Sequence, residues 1–209
     1  MIVIIDNGMG NIQSVSNALS KLGVKSYISN NPSTIERATA IILPGVGAFP
    51  IAMENLKNSS LDKLLKKTVL ENKTPFLGIC LGMQLLFDES EEQSRTKGLC
   101  FIKGKVKRIP DSVDSPVPHV GWDSLIFNKE TPISINVDKK SRFYYDHSYF
   151  VSDVEEADEF ASLSYGHEQK MCVGVSKGNI FGVQFHPEKS QRNGLRLLRN
   201  FINYAFKIT

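Results

Sequence analysis

Cysteine is scarce: Cys80, Cys100 and Cys172 are the only three in 209 residues. An odd, unclustered set offers neither a disulfide framework nor the paired spacing of a zinc site. No metal or other cofactor is expected, and a reducing, cytoplasmic setting fits. Charge of one sign is also lacking. Lysine and arginine number 25 against 22 acids, and the resulting +3 leaves no electrostatic footprint for nucleic acid. No apolar run approaches the ~20 residues of a membrane span. The opening MIVIIDNGMG has neither the basic lead nor the long apolar core of a secretion signal. Neither nucleic acid nor membrane is expected as a partner. The stretch DNGMGN, residues 6–11, lacks the full GxGxxG spacing and is read as a turn opening a helix.

What is present is the texture of a globular protein. With 41% hydrophobic and 22% charged residues the chain is neither disordered nor fibrous, and its length predicts one domain spanning residues 1–209. Short apolar runs alternate with helical spacing in the first half. Strands are expected at residues 2–5, 25–28, 40–43 and 75–79, the third stopping at Pro44. Ile12, Val15, Leu19 and Leu22 line one helix face, and Leu61, Leu64, Leu65 and Val69 another. In the second half, β-prone runs fall at residues 99–109, 124–127, 142–151, 160–164, 172–176 and 180–185, before a closing helix with Leu195, Leu198, Ile202 and Ala205 at helical spacing. Residues 88–98 and 110–118 read as loops. The fold class is α/β: a mostly parallel central sheet flanked by helices, with additional antiparallel strands.

The most informative segment is PFLGICLGMQLLF, residues 75–87, where Cys80 stands between Gly78 and Gly82 at a junction of strand and helix. That layout is a nucleophile elbow with cysteine in place of serine. The turn is tight, so small residues must flank it. The helix start presents unpaired N–H groups, which stabilise negative charge on the sulfur, and the N–H of Leu81 points toward a developing oxyanion. An inert cysteine at a strand end is the competing reading. A base is available in VQFHPEKS: His186 and Glu188 flank a proline that disfavours helix, so both side chains fit on one side of an extended segment. Alone, that turn could equally be a solvated surface pair. In ILPGVGAFP, residues 42–50, the glycines allow backbone N–H groups to face a site, which makes Gly45 and Gly47 candidate oxyanion donors.

The succession PGVGAF, GICLGMQLLF, HVGWD, YDHSY and GVQFHPEKS resembles the class I glutamine amidotransferases over nearly the whole chain. Among them it is most similar to the glutaminase subunits of imidazole glycerol phosphate synthase. The resemblance implies the flavodoxin-like sheet of that class and a Cys80, His186 and Glu188 triad that hydrolyses L-glutamine through a thioester. It implies Gln84 and Glu92 as substrate contacts, with the backbone of His147, Ser148 and Tyr149 near the substrate carboxylate. Trp122, Asp123, Tyr144 and Lys189 match the side facing a (β/α)8-barrel synthase subunit, the partner in a heterodimer with an internal ammonia passage. The PGVG strand of this family is misoriented in some members until the partner binds its own ligand.

Three residues depart from the usual pattern of the histidine-pathway subunit: Asn7 for tyrosine, Asp123 for asparagine and Asp146 for an apolar residue. None lies in the triad. The two aspartates bear on which synthase receives the ammonia, and a related branch that amidates a surface-polysaccharide or nucleotide-linked sugar is the alternative. A different cysteine hydrolase and a non-catalytic scaffold are the other readings. His119 and His167 have no assigned role.

Overall fold

The computed structural model describes residues 1–113, 116–138, 140–166 and 169–208. The apolar runs of the first half become β1 (Ile2–Ile5), β2 (Ser26–Ser29), β3 (Ala40–Gly45) and β4 (Phe76–Cys80). Between them lie α1 (Ile12–Lys21), α2 (Pro32–Glu36), α3 (Phe49–Asn58) and α4 (Leu61–Leu65), the last continued by a π-helical stretch over Lys66–Glu71. A single turn, α5 (Leu81–Gln84), follows β4 directly. Then come β5 (Glu89–Ser90), β6 (Thr96–Lys97), β7 (Lys105–Arg108), β8 (His119–Ser124), β9 (Ile126–Phe127), β10 (Arg142–His147), β11 (Tyr149–Ser152), β12 (Glu159–Tyr165), β13 (Gln169–Lys177) and β14 (Ile180–Val183). The chain closes with α6 (Gln191–Phe206).

The main sheet runs β2-β1-β3-β4-β14-β13-β11-β7-β5-β6, with β12 pairing β13 and β9. From β2 to β14 it is parallel, and β13, β11 and β12 extend it antiparallel. Every residue of β1, β3, β4 and β14 is buried, as a sheet covered on both faces requires. Alternation assigns the faces. Ile2, Ile4, Ile42, Leu77 and Phe181 pack with Val15 and Leu19 of α1 and Leu197 and Phe201 of α6. Val3, Ile5, Ile41, Leu43 and Phe76 pack with Phe49, Met53 and Leu56 of α3 and Leu61 and Leu65 of α4. β8 and β10 stand apart as a two-stranded antiparallel ribbon.

The sheet departs from the sequence expectation in places with identifiable causes. β3 passes through Pro44, because β1 pairs only with residues 40–42; beyond them the missing N–H faces no strand on that side. Of residues 99–109, only Lys105–Arg108 joins the sheet. Leu99 and Phe101 instead donate their N–H groups to Leu85 and Leu86 O, at 2.9 and 2.8 Å, satisfying carbonyls beyond α5. Residues 142–151 divide at Ser148 into β10, which pairs with β8, and β11, which pairs with β7. Strand propensity does not encode which neighbour a strand finds. Residues 88–98 contain the small pair β5 and β6 rather than a bare loop. α3 is a helix beyond those expected, and Pro50 in its first turn is its start signal.

Candidate active site

Parallel register brings the chemistry to one edge. Gly45 lies opposite Cys80, and Val183 opposite Ile79, so β3, β4 and β14 all end together. The loop after β1 and the turn after β14 emerge at that same carboxyl edge, where open α/β sheets hold their ligands. Cys80 sits there with φ 53° and ψ −111°, a strained conformation for a residue with a side chain. The glycines explain how the elbow closes. A Cβ on Gly78 would stand 2.5 Å from Gly82 O, and one on Gly82 would stand 1.7 Å from Leu43 O. Only bare backbone fits between β3, β4 and α5 at this point.

Three residues past β14, the turn Pro187–Lys189 carries the second half of the site. His186 N–H donates to Tyr144 O at 2.9 Å, and Ser190 Oγ donates to His186 O, so the turn is tied to β10 and to the start of α6. The side chains of His186 and Glu188 are fully buried, with Nδ1 2.7 Å from Glu188 Oε1. Since a carboxylate accepts, the proton lies on Nδ1. Nε2 is buried with no hydrogen-bond partner among the described residues and remains for the thiol side. Burial pushes the imidazole toward its neutral form, but Cys80 and then Glu188 outweigh it, raising His186 to about 10. Asn11 completes the group: its Nδ2 donates to Glu188 Oε1 and lies 3.3 Å from His186 Nδ1.

A cleft of about 350 Å³ opens over Cys80, lined by Val46, Gly47, Leu81, Gln84, Glu92, Pro118 and Asp146 to Tyr149. That volume suits an amino-acid-sized ligand. Gln84 and Glu92, with His147, Ser148 and Tyr149, thus meet in one pocket. Gln84 Nε2 is also committed within the protein, to Tyr149 O at 2.9 Å and Gln184 Oε1 at 3.0 Å. Glu92 Oε2 accepts from Phe49 N–H at 2.8 Å, capping the start of α3. The expected oxyanion strand is divided between the ladder and the cleft. Gly45 stays in the ladder opposite Cys80, packed on the Leu81 side chain, and does not line the cleft. Gly47 lines it with φ +112°, while the Val46 N–H between them donates to Met9 O at 2.9 Å. Leu81, at the first position of α5, borders the cleft beside the thiol.

The four residues expected to face a partner cluster near the β8–β10 ribbon. Trp122 and Tyr144 are cross-strand neighbours with rings 6.0 Å apart, and Lys189 Nζ lies 5.2 Å from the Tyr144 ring. Asp123, beside Trp122, has a half-exposed side chain and contacts His119 Nε2 at 2.9 Å. His167 lies outside the described residues. Of the other thiols, Cys172 is buried in β13 and driven well up by that burial, while Cys100 is exposed and raised. Among the described residues, no group of three His, Cys, Asp or Glu is placed to hold a metal ion, and no helix is long and apolar enough to cross a membrane.

Three contributors carry no local sequence signal. Asn11 lies about 175 residues from the pair it supports and read only as a turn residue. Gln184, in the VQFHPE stretch, accepts from Gln84 through its Oε1 and places its Nε2 3.7 Å from Cys80 Sγ. Met9 supplies only a carbonyl, which any residue could offer.

Known proteins resemble this chain in sequence and in fold. The family model of glutamine amidotransferase class-I matches residues 3–204. The imidazole glycerol phosphate synthase subunit HisH 2 of Methanococcus maripaludis is 46% identical over 205 residues, covering 98% of this chain and 100% of that protein. The subunit HisH 2 of Vibrio vulnificus is 48% identical, covering 98% and 94%, and the subunit HisH of Bacillus subtilis 44%, covering 98% and 97%. A crystal structure of a glutamine amidotransferase superposes with a TM-score of 0.77 at 20% identity, covering 99% of this chain and 100% of that one. PurLQS from Thermotoga maritima gives 0.74 at 18%, covering 97% of both, and these two structures speak for the fold alone. With its family match running from the first strand into the last helix, the chain belongs to the class I glutamine amidotransferases.

Proposed function

We propose that this chain is the glutaminase subunit of an imidazole glycerol phosphate synthase, acting as one domain in the cytoplasm within a heterodimer. The observation that carries the reading is the meeting of Cys80 with the buried His186–Glu188 pair beneath a cleft that also holds Gln84 and Glu92. Relatives of nearly equal length that bear that subunit's name support the pathway. In this mechanism the Cys80 thiol proton passes to His186 Nε2 as Sγ attacks the side-chain carbonyl carbon of glutamine, and the carbonyl π electrons move to oxygen. The N–H of Leu81 and one from the 45–47 strand stabilise that oxygen. His186 gives its proton to the leaving nitrogen, the C–N bond breaks, and ammonia departs from a glutamyl thioester. Water then attacks, His186 takes its proton, the C–S bond breaks, and glutamate and the thiol are regenerated. Glu188 keeps the imidazole oriented throughout.

Free ammonia is protonated in bulk water, so the product needs a covered path to its acceptor. Trp122, Asp123, Tyr144 and Lys189 supply a docking rim for a barrel-shaped synthase subunit. The Val46 N–H bonded to Met9 O is turned to the first loop, so low activity is expected without the partner. The test is glutamine hydrolysis by the chain mixed with a candidate barrel subunit and its ligand. Hydrolysis should appear in the mixture and fall by about a thousandfold or more in Cys80→Ala. A glutamine-analogue electrophile should label Cys80; labelling confined to Cys100 or Cys172 would overturn the assignment.

A further inference from the structure

Three contacts run in a line from the rim to the wall of the cleft. Asp123 Oδ2 lies 2.9 Å from His119 Nε2, His119 Nδ1 lies 3.0 Å from His147 Nε2, and His147 Nδ1 lies 2.8 Å from Tyr149 O. Each contact needs one proton. A carbonyl only accepts, so His147 carries a proton on Nδ1. If that ring is neutral, its Nε2 is a lone pair, and His119 must donate to it from Nδ1. The remaining nitrogen of His119 faces a carboxylate, which places a third proton between Nε2 and Oδ2. Two neutral imidazoles bring only two protons. The closed line therefore holds one more, and its His119–Asp123 end is electrically neutral whichever atom carries it. Without that proton, one contact sets lone pair against lone pair.

The surroundings make this line a unit. His119 and His147 are directly opposed in the β8–β10 ladder, and both are buried. The His119 ring lies 4.8 Å from Tyr145 of β10 and 4.2 Å from Tyr165 of β12, and Tyr145 is 5.8 Å from His147. Asp111 acts on Tyr165 and His186 acts on His147, completing the titratable groups that bear on the line among the described residues. Burial opposes a charge on His119 more strongly than Asp123 favours it, so the third proton is held less tightly than by an ordinary histidine. At the inner end Tyr149 O also accepts from Gln84 Nε2 at 2.9 Å, and residues 147–149 border the cleft. The direction of that carbonyl sets the backbone facing the substrate.

We propose that Asp123, His119 and His147 form a one-proton latch that positions the glutamine-binding turn, closed when the third proton is held and released when it is lost. They are positioning residues, acting on substrate through the backbone of residues 147–149. The inference rests on the glutaminase reading for its substrate. Release at higher pH loosens glutamine binding more than the chemical step, so the KM for glutamine should rise with pH while kcat follows the triad.

The experiment measures glutamine KM and kcat with saturating barrel partner over about pH 5.5 to 8.5, the range in which histidines ordinarily titrate, in wild type, Asp123→Asn and His119→Phe. An asparagine can donate its amide to His119 Nε2, so two protons then close the line and the KM should lose its pH dependence. His119→Phe keeps a ring but removes both contacts, and its KM should rise about tenfold at every pH, as for one buried hydrogen bond lost. Should His119→Phe fail to fold, the Asp123→Asn profile decides. Imidazole nitrogen NMR of the wild-type chain gives an independent readout: His147 should be protonated at Nδ1 throughout. Coincident KM profiles for wild type and Asp123→Asn, or His147 protonated only at Nε2, would overturn the latch. If the wild-type complex hydrolyses no glutamine, the functional reading fails instead, and the NMR result still decides the latch.

Discussion

His186 sits between opposed influences. Burial disfavours its charge, while Cys80 and Glu188 together raise it to about 10. Because the folded value exceeds the ordinary one of about 6.5, the stability it contributes is complete below that ordinary value and is lost as pH rises through about 10. Two outcomes follow for Cys80→Ala. An NMR titration should find His186 losing its proton at lower pH than in wild type, and urea unfolding should show a shallower loss of stability on the alkaline side. Asn11→Ala should lower kcat about tenfold, the worth of one charge-assisted hydrogen bond, with little change in KM. At this scale the reactive types were legible: Cys80 between two glycines, His186 and Glu188 around a proline. Asn11 was not, since an amide reaching across 175 residues leaves no local pattern.

Among the elements, backbone packing at the elbow and at the last helix should set the response to single methyl groups. Gly82→Ala puts a carbon 1.7 Å from Leu43 O, so α5 and β3 must separate, and Gly194→Ala meets Pro187 O at 1.8 Å, prising α6 from the His186 turn. Each should cost about 3 kcal/mol or more and lower activity with stability. Gly178→Ala has open space and only its φ of 58° against it. It should cost about 1 kcal/mol and leave hydrolysis intact, and denaturant midpoints beside glutaminase rates separate the three cases. The parallel strands were readable as unbroken apolar runs because both their faces are buried, and the faces of α1 and α6 because burial on one side imposes a period on the sequence. The division of residues 142–151 between two sheets was not, because pairing partners lie far away in the chain.

The whole molecule presents its chemistry at one edge of the sheet, next to the Trp122, Tyr144 and Lys189 cluster. Docking of a barrel subunit there, with rearrangement of the Val46 N–H away from Met9 O, should raise kcat at least about tenfold over the isolated chain. Trp122→Ala should weaken the complex by about tenfold or more, as aromatic anchors at interfaces do, and titration calorimetry would measure it. By itself the sequence determined the alternation of strand and helix, the elbow at Cys80 and the identities of its acid–base partners, since periodicity and tight turns act over a few residues. Tertiary structure alone decided that Cys80, His186 and Asn11 meet, that Gly45 stays in the ladder while Val46 turns to Met9, and that Asp123, His119 and His147 form a line. Strand register and sheet order place those groups, and both are set by packing between segments distant in the chain.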